Sequence, residues 1–516
     1  MNKPEKLSMR TPSLADENFA TLVRLFPNAV TETIDENGAV VRAIDADVLA
    51  QEINTHVVSG REERYQFTWP DKRKSILLAN APIGATLRPC REESVDSDNT
   101  ENLYIEGDNL DVLKLLRETY LNKVKMIYID PPYNTGNDFV YEDDYSEETG
   151  EFQYRDRQLD ENGNRLVKNI DSNGRFHTDW LNMIYPRLCV ARGLLKDDGV
   201  IFISIDDNEL KNILRIVSDI FGEGNIMACF PRVTKKAGKT TESIAKNNDY
   251  VVMCSKGPSP KITLPLHTDE GFKYSDEFEV ERGKYKLNQT LDYDSLQYSA
   301  SLDYPIEIEG KTLYPGNSYE KYLERKKGNH ARADWAWRWS KDLFEFGLAK
   351  GFIVVKNYDG YSRIYTKTYQ NATIKKTGKT FTIEYTPRTR AISSLEFIAN
   401  EYSNDNSKKN LLSIFETNVF DYSKPVSLLK ALIKMSTDES DIILDFFSGS
   451  ATTAHAVMQL NAEDGGKRKF IMVQLAEPCD ENSEAYKAGY KNISEIGKER
   501  IRRAGKKIKE DNRYSP

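Results

Sequence analysis

Cysteine and histidine are scarce in this chain, with five of each among 516 residues. Cys90, Cys189, Cys229, Cys254 and Cys479 are scattered, with no C-x-x-C pair and no histidine at metal spacing. A disulfide framework and a zinc site are thereby excluded; no metal is expected, and a reducing compartment fits. No apolar run reaches the length of a membrane span, and the N-terminal MNKPEKLSMR has no apolar signal core. A cytoplasmic location without membrane attachment is the expectation. No Walker A motif and no internal repeat occur. Net charge is −8, so the chain as a whole is not a basic, indiscriminate nucleic-acid binder. Its length predicts two or more domains with ample core.

What is present concentrates in two segments. The first is MIYIDPPYNTGNDFVYEDDY, Met126 to Tyr145. Met126, Ile127 and Ile129 give an apolar, strand-like approach to Asp130-Pro131-Pro132-Tyr133. Two prolines cannot continue a central strand, because each lacks an N–H and has a fixed φ. A carboxylate, two rigid backbone units and an aromatic ring are therefore presented at a strand's carboxyl end, where open α/β sheets bind ligands. The proline carbonyls are expected to be free. An exocyclic amine can donate one N–H to Asp130 and one to the Pro131 carbonyl, while Tyr133 stacks on its base. The plain alternative is a strand-ending turn with a surface carboxylate. Tyr128 and Asn134-Thr135-Gly136 extend the polar mouth.

The second segment is IILDFFSGSATTAHAVMQLN, Ile442 to Asn461. An apolar run predicts a buried parallel strand. Ser448 to Thr453 is a small-residue turn, and Ala454 to Leu460 reads as a helix with Thr452 or Thr453 as N-cap. Small residues let a ligand approach the backbone, and helix N–H groups point at it. The turn lacks both G-x-G-x-x-G and the Walker lysine, so a phosphate is not the expected ligand.

Together the segments resemble an S-adenosylmethionine-dependent amino-methyltransferase acting on DNA. Asp130 to Tyr133 resembles the catalytic D-P-P-Y motif, and Asp445 to Thr453 resembles the cofactor motif D-x-F-x-G-S-G-T-T. Catalytic motif first and cofactor motif about 315 residues later is the order of the β group. The chain is most similar to the modification subunit of Type III restriction–modification systems, also through FTWPDK, LYIEGDNLDVLKLL, DYSKPVSLLKALI and FIMVQLAEP. The resemblance implies an α/β fold: a Rossmann-like methyltransferase sheet in circularly permuted motif order, with an inserted α+β target-recognition domain. It implies methyl transfer from S-adenosylmethionine to the N6 amine of adenine in duplex DNA, with the target base flipped out. Catalytic roles fall to Asp130, Pro131, Pro132 and Tyr133. Cofactor contacts fall to Asp108 after the first strand, Asp130, Lys424 of Lys424-Pro425, and Asp445, Phe447, Gly449, Ser450 and Thr452. Two departures stand out. Ala451 replaces the motif's last glycine. The acidic residue that commonly binds the cofactor ribose is here Gln474, with Glu477 three residues on; either side chain can do so. Trp180 and Arg187 resemble the helix before the next strand, Val200 to Asp206. Implied partners are duplex DNA, a second copy of the chain and a separate restriction (helicase–nuclease) subunit, since ATP-driven cleavage needs a Walker motif from elsewhere. An orphan regulatory methyltransferase and a non-catalytic specificity subunit are the alternatives.

Composition divides the chain into residues 1–95, with a dimer contact implied by the resemblance; 96–256, the catalytic part; 257–409, an inserted target-recognition domain opened by Gly257-Pro258-Ser259-Pro260; 410–480, the cofactor-binding part; and 481–516, a basic helix. A polar stretch from Glu142 to Gly174 is expected as a loop over the target base. Arg232, Lys235, Lys236, Lys239 and Lys246 form a basic loop suited to phosphate contact or to a solvated surface. A second basic set includes Arg325 and lies beside Trp335, Trp337 and Trp339, whose alternation predicts core packing.

Overall fold

The computed structural model describes residues 11, 13–26, 29–34, 38–46, 49, 67–135, 139–141, 166–168, 176–236, 243–267 and 271–513. Lys239 and nearly all of the loop expected at 142–174 lie outside them. Two compact units form, one from Met1–Thr263 with Ser393–Pro516, the other from Leu264–Ile392. Residues 257–263 and 393–409 thus belong to the first unit rather than to the insert. Their backbone shows why: Thr263 N–H donates to the Met435 carbonyl (2.8 Å) and Asn404 N–H to that of Thr234 (2.9 Å).

The first unit is built on a seven-stranded sheet. Its strands are β1 (Leu103–Glu106), β2 (Val124–Ile129), β3 (Leu195–Ile205), β4 (Ile226–Val233), β5 (Asn248–Ser255), β6 (Ile442–Asp445) and β7 (Lys469–Gln474), in spatial order β1-β7-β6-β2-β3-β5-β4. The first five in that order are parallel; β5 runs antiparallel to β3 and β4. Every residue of β2 is buried, as expected of a parallel strand covered on both faces. The main helices are α1 (Asn109–Tyr120), α2 (Phe176–Leu194), α3 (Leu210–Phe221), α4 (Val426–Ser436), α5 (Thr452–Asp464) and α6 (Ile493–Arg513). α1, α2 and α3 contribute Leu113, Trp180, Leu188 and Ile216 to one apolar core with the strands. α5 packs against α4 and α6. The C-terminal helix buries Ile496, Arg500 and Ala504.

Strand order fixes the site. β6 pairs with β2 in the register Ile443↔Met126 and Leu444↔Ile127, although the two lie far apart in the chain. From β6 the next strand, β7, adds on one side; from β2 the next, β3, adds on the other. The sheet order reverses between them, and the crevice outside the carboxyl ends of such a pair is where open α/β sheets hold ligands.

The second unit is α+β. A three-stranded antiparallel sheet places Tyr361–Tyr369 between Tyr285–Thr290 and Ile353–Tyr358. Leu291, Ile306, Trp337, Phe344 and Ile364 form its own core. Trp335 and Trp339 lie so close over Gly316 and Gly347 that a Cβ there would meet the rings at 2.6 and 2.5 Å. All three tryptophans therefore pack within the unit, and Arg325 of the same basic set is buried against Asp303 (3.0 Å). Where the chain enters and leaves, Leu266 bridges Thr389, His267 N–H donates to the Arg388 carbonyl (2.8 Å) and Arg390 N–H to that of Pro265 (2.9 Å).

Among the described residues no helix is long and apolar enough to cross a membrane.

Candidate active site

Asp130 follows the last residue of β2, and its side chain is about a quarter exposed (23%). Both carboxylate oxygens accept from the Lys424 ammonium, at 2.6 and 2.5 Å. Lys424 is nearly buried and stands just before α4, with Pro425 as the N-cap residue. Its ammonium also lies 4.9 Å from the centre of the Tyr133 ring, a cation–π contact. Sequence spacing brings Lys424 nowhere near the tetrad; sheet topology does.

Struts hold the rest of the tetrad. Trp180 is fully buried in α2 and donates its indole N–H to the Pro132 carbonyl at 2.8 Å. The expectation of free carbonyls thus fails at Pro132. Tyr133 donates its hydroxyl to Asp249 of β5 (3.2 Å). Burial, reinforced by the Asp130 and Asp249 carboxylates, holds the Tyr133 phenol well above its usual range, so it stays a neutral donor. Asp249 is paired with Arg232 of β4 through both guanidinium arms, Nε at 2.8 Å and Nη2 closer. Arg232 also donates to the Tyr402 carbonyl (2.8 Å) and to Asn404 (3.0 Å). It is 1% exposed. The expected phosphate contact by Arg232 is therefore corrected: its charge faces inward and steadies Tyr133 through Asp249. Lys235 is half-buried and Lys236 exposed.

Beyond the tetrad Asn134 adopts a left-handed φ of 58° and donates to Glu209 (2.5 Å). Glu209, fully buried, also meets His177 (2.6 Å) and Asn212 (2.7 Å). Tyr128, expected at the mouth, is instead buried and bonded to Ser204 (2.8 Å).

On β6, Asp445 is buried and staples the following turn. One oxygen accepts the Phe447 N–H (3.1 Å), the other the Thr453 hydroxyl (2.5 Å). Burial pushes its carboxyl up to about 7, against the pull of those bonds. Gly449 and Ala451 both take positive φ, 50° and 58°. Ala451, not Thr452 or Thr453, is the N-cap residue of α5. The threonine hydroxyls are engaged elsewhere, Thr453 with Asp445 and Thr452 with Arg500 (2.6 Å). Gly449 N–H donates to the side-chain oxygen of Gln474 (2.7 Å), so that oxygen holds the turn and is not left for a hydroxyl. Glu477, just past β7, has no side-chain partner among the described residues, and burial alone pushes its carboxyl up to about 7. Asp108 caps α1, accepting from Leu110 N–H (2.9 Å) and Asp111 N–H (3.2 Å), and meets Arg187 (3.3 Å). Asn109 links this end to the segment just past β6 by donating to the Phe446 carbonyl (2.9 Å).

Two adjacent parallel strands thus end in a carboxylate clamp and in a small-residue turn. A family model described as DNA methylase matches residues 124–490, from β2 to beyond β7.

The chain belongs to the DNA methylase family.

Three relatives refine this membership. The chain is 32% identical to the Type III restriction–modification enzyme EcoPI Mod subunit of Escherichia phage P1, over 98% of this chain and 77% of that protein. It is 31% identical to the EcoP15I Mod subunit of Escherichia coli, over 98% of this chain and 78% of that protein. With the StyLTI Mod subunit of Salmonella typhimurium the identity is 34%, over 81% of this chain and 59% of that protein. This methylase is thus one of the Type III modification subunits, and its methyl donor is S-adenosylmethionine. Asn109, Trp180, Asp249 and Arg500 are the site residues that sequence reasoning did not assign. Trp180 alone carried a signal, as part of the resembling helix.

Proposed function

We propose that this methylase modifies the N6 amine of adenine in duplex DNA, as the modification and specificity subunit that works with a separate helicase–nuclease subunit. The observation that supports it most is the Asp130 carboxylate beside the Ser448–Thr453 turn, at the switch point of the sheet.

The flipped adenine amine donates one N–H to Asp130 and the other to the Pro131 carbonyl. The Pro132 carbonyl is already taken by Trp180. An ionised carboxylate has about four acceptor sites, so Asp130 can hold Lys424 and an amine together. Lys424 orients that carboxylate, and the hydroxyl bond to Asp249 fixes the Tyr133 ring for stacking on the base. These contacts favour a pyramidal nitrogen with its lone pair directed outward. Positioning and electrostatics account for the rate, with no covalent enzyme intermediate. When bound, S-adenosylmethionine supplies an electrophilic methyl group on a sulfonium sulfur.

The residues present fit that cofactor. Phe447, Gly449, Ser450 and Thr452 form the turn that its backbone-hugging end requires. Asp108, Asp445 and Gln474 act by holding the turn and the neighbouring helix end. Glu477, half-buried and without a side-chain partner among the described residues, is the acceptor for the ribose hydroxyls in preference to Gln474. Lys236 and the half-buried Lys235 are the phosphate contacts, and the Leu264–Ile392 unit reads the target sequence. A homodimer and a cytoplasmic location complete the proposal; sedimentation of the full chain checks the first.

Purified protein, labelled S-adenosylmethionine and mixed-sequence duplex DNA test the activity, with single-molecule sequencing of the product. N6-methyladenine at one recurring sequence is expected. Methylated cytosine would overturn the adenine assignment, and absence of label transfer would overturn the catalytic one.

A further inference from the structure

Arg500 of α6 is fully buried, and no carboxylate among the described residues pairs with it. In this it differs from Arg187, Arg232, Arg325 and Arg468, which meet Asp108, Asp249, Asp303 and Asp464. Its Nη1 reaches the hydroxyls of Ser423 (2.9 Å), Ser450 (2.8 Å) and Thr452 (2.6 Å), and the Ser450 carbonyl (3.4 Å). Its Nε and Nη2 are buried and have no partner among the described residues. Burial pulls the guanidinium down to about 9.

A neutral donor would satisfy three hydroxyls. A buried guanidinium without a counter-ion is costly, and such a charge persists where an anion offsets it. The three hydroxyls identify the place: Ser450 and Thr452 are in the cofactor turn, and Ser423 precedes Lys424, which grips Asp130. S-adenosylmethionine carries one anionic group, its α-carboxylate.

We propose that Arg500 is a positioning residue of the cofactor site: it fastens Ser423-Lys424-Pro425 to the cofactor turn, and its unmatched charge makes the site favour a ligand bearing a carboxylate. The charge acts through the turn and through space, since the guanidinium is sealed from solvent. This rests on the S-adenosylmethionine reading of the turn.

Titration calorimetry on the full chain tests it with two probes, S-adenosylmethionine and its decarboxylated analogue. For Arg500→Met, binding of S-adenosylmethionine weakens about tenfold or more while the analogue loses about threefold or less, the difference expected when one charge near a carboxylate is removed. The melting temperature holds or rises, because an uncompensated charge has left the interior. A residue that only supports the fold would lower the melting temperature and weaken both probes alike; that result, or unchanged affinity for both, overturns the proposal. Arg500→Lys keeps the charge and loses the fork, and carries the test if the methionine variant does not fold. It retains the preference for the carboxylate-bearing probe, and loss of that preference also overturns the proposal. Failure of the wild-type chain to bind S-adenosylmethionine would instead refute the reading beneath it.

Discussion

Replacing Arg232 by methionine separates two opposed roles for the same side chain. If Arg232 steadies Tyr133 from within, its loss leaves Asp249 buried with an unpaired charge. Breaking a buried ion pair from one side costs about 3–5 kcal/mol. A unit of roughly 400 residues unfolds with an entropy near 0.8 kcal/mol per kelvin, so a loss of about 4 kcal/mol lowers the melting temperature by about 5 °C. Adding Asp249→Asn removes the stranded charge and recovers most of the loss, because an amide oxygen still accepts the Tyr133 hydroxyl. DNA affinity measured against salt keeps its wild-type slope in the soluble fraction, and turnover falls in the single variant as Tyr133 loses its hold. A phosphate-contacting Arg232 would give the reverse: a melting temperature within about 1 °C of wild type, and a salt slope reduced by about one counterion. That outcome would refute the inward role.

Asp130→Asn keeps the shape but removes the charge, and the methylation rate should fall about 100-fold or more while calorimetric affinity for S-adenosylmethionine changes little; normal turnover would overturn the tetrad assignment. Trp180→Phe strands the Pro132 carbonyl, with an expected loss of about 1–3 kcal/mol in urea unfolding and a few-fold fall in kcat. Glu477→Gln should weaken binding of S-adenosylmethionine about tenfold, and unchanged affinity in that variant would reverse the assignment in favour of Gln474. The same Glu477 variant gives a pH signature. The carboxyl is neutral in both folded and unfolded chains below its ordinary value of 4.5, then charges first in the unfolded chain until about 7. Its burial thus weakens the fold increasingly as pH rises from 4.5 to 7. Without cofactor, the variant should match wild type near pH 4.5 and melt higher near pH 7.

The parts legible in the sequence were those carried by local pattern. An apolar run closed by Pro131-Pro132 marks a strand end, and Ile442–Phe447 followed by small residues marks a strand and turn. Their adjacency was available only through resemblance, because β2 and β6 meet across roughly 300 residues. Side-chain direction was not legible. Arg232 sits among lysines and counts as one more positive charge until β4 pairs with β5 and brings Asp249 to it. Thr452 and Thr453 have the chemistry of N-caps, but Ala451 takes the left-handed turn and both hydroxyls find partners nearer by. Gly257-Pro258-Ser259-Pro260 breaks the local pattern, yet the unit boundary falls later, at Leu264, where a backbone bond from Thr263 to α4 holds the intervening residues.

The paired chain ends of the second unit have an evolutionary consequence. Leu266 and Thr389 are bridged, so more than a hundred residues enter and leave through neighbouring positions. A segment whose termini lie side by side can be exchanged for another of similar closure without re-registering any strand of the catalytic sheet. With that unit as the proposed reader of the target, recombination at two points gives one methylating scaffold a new vocabulary in a single event.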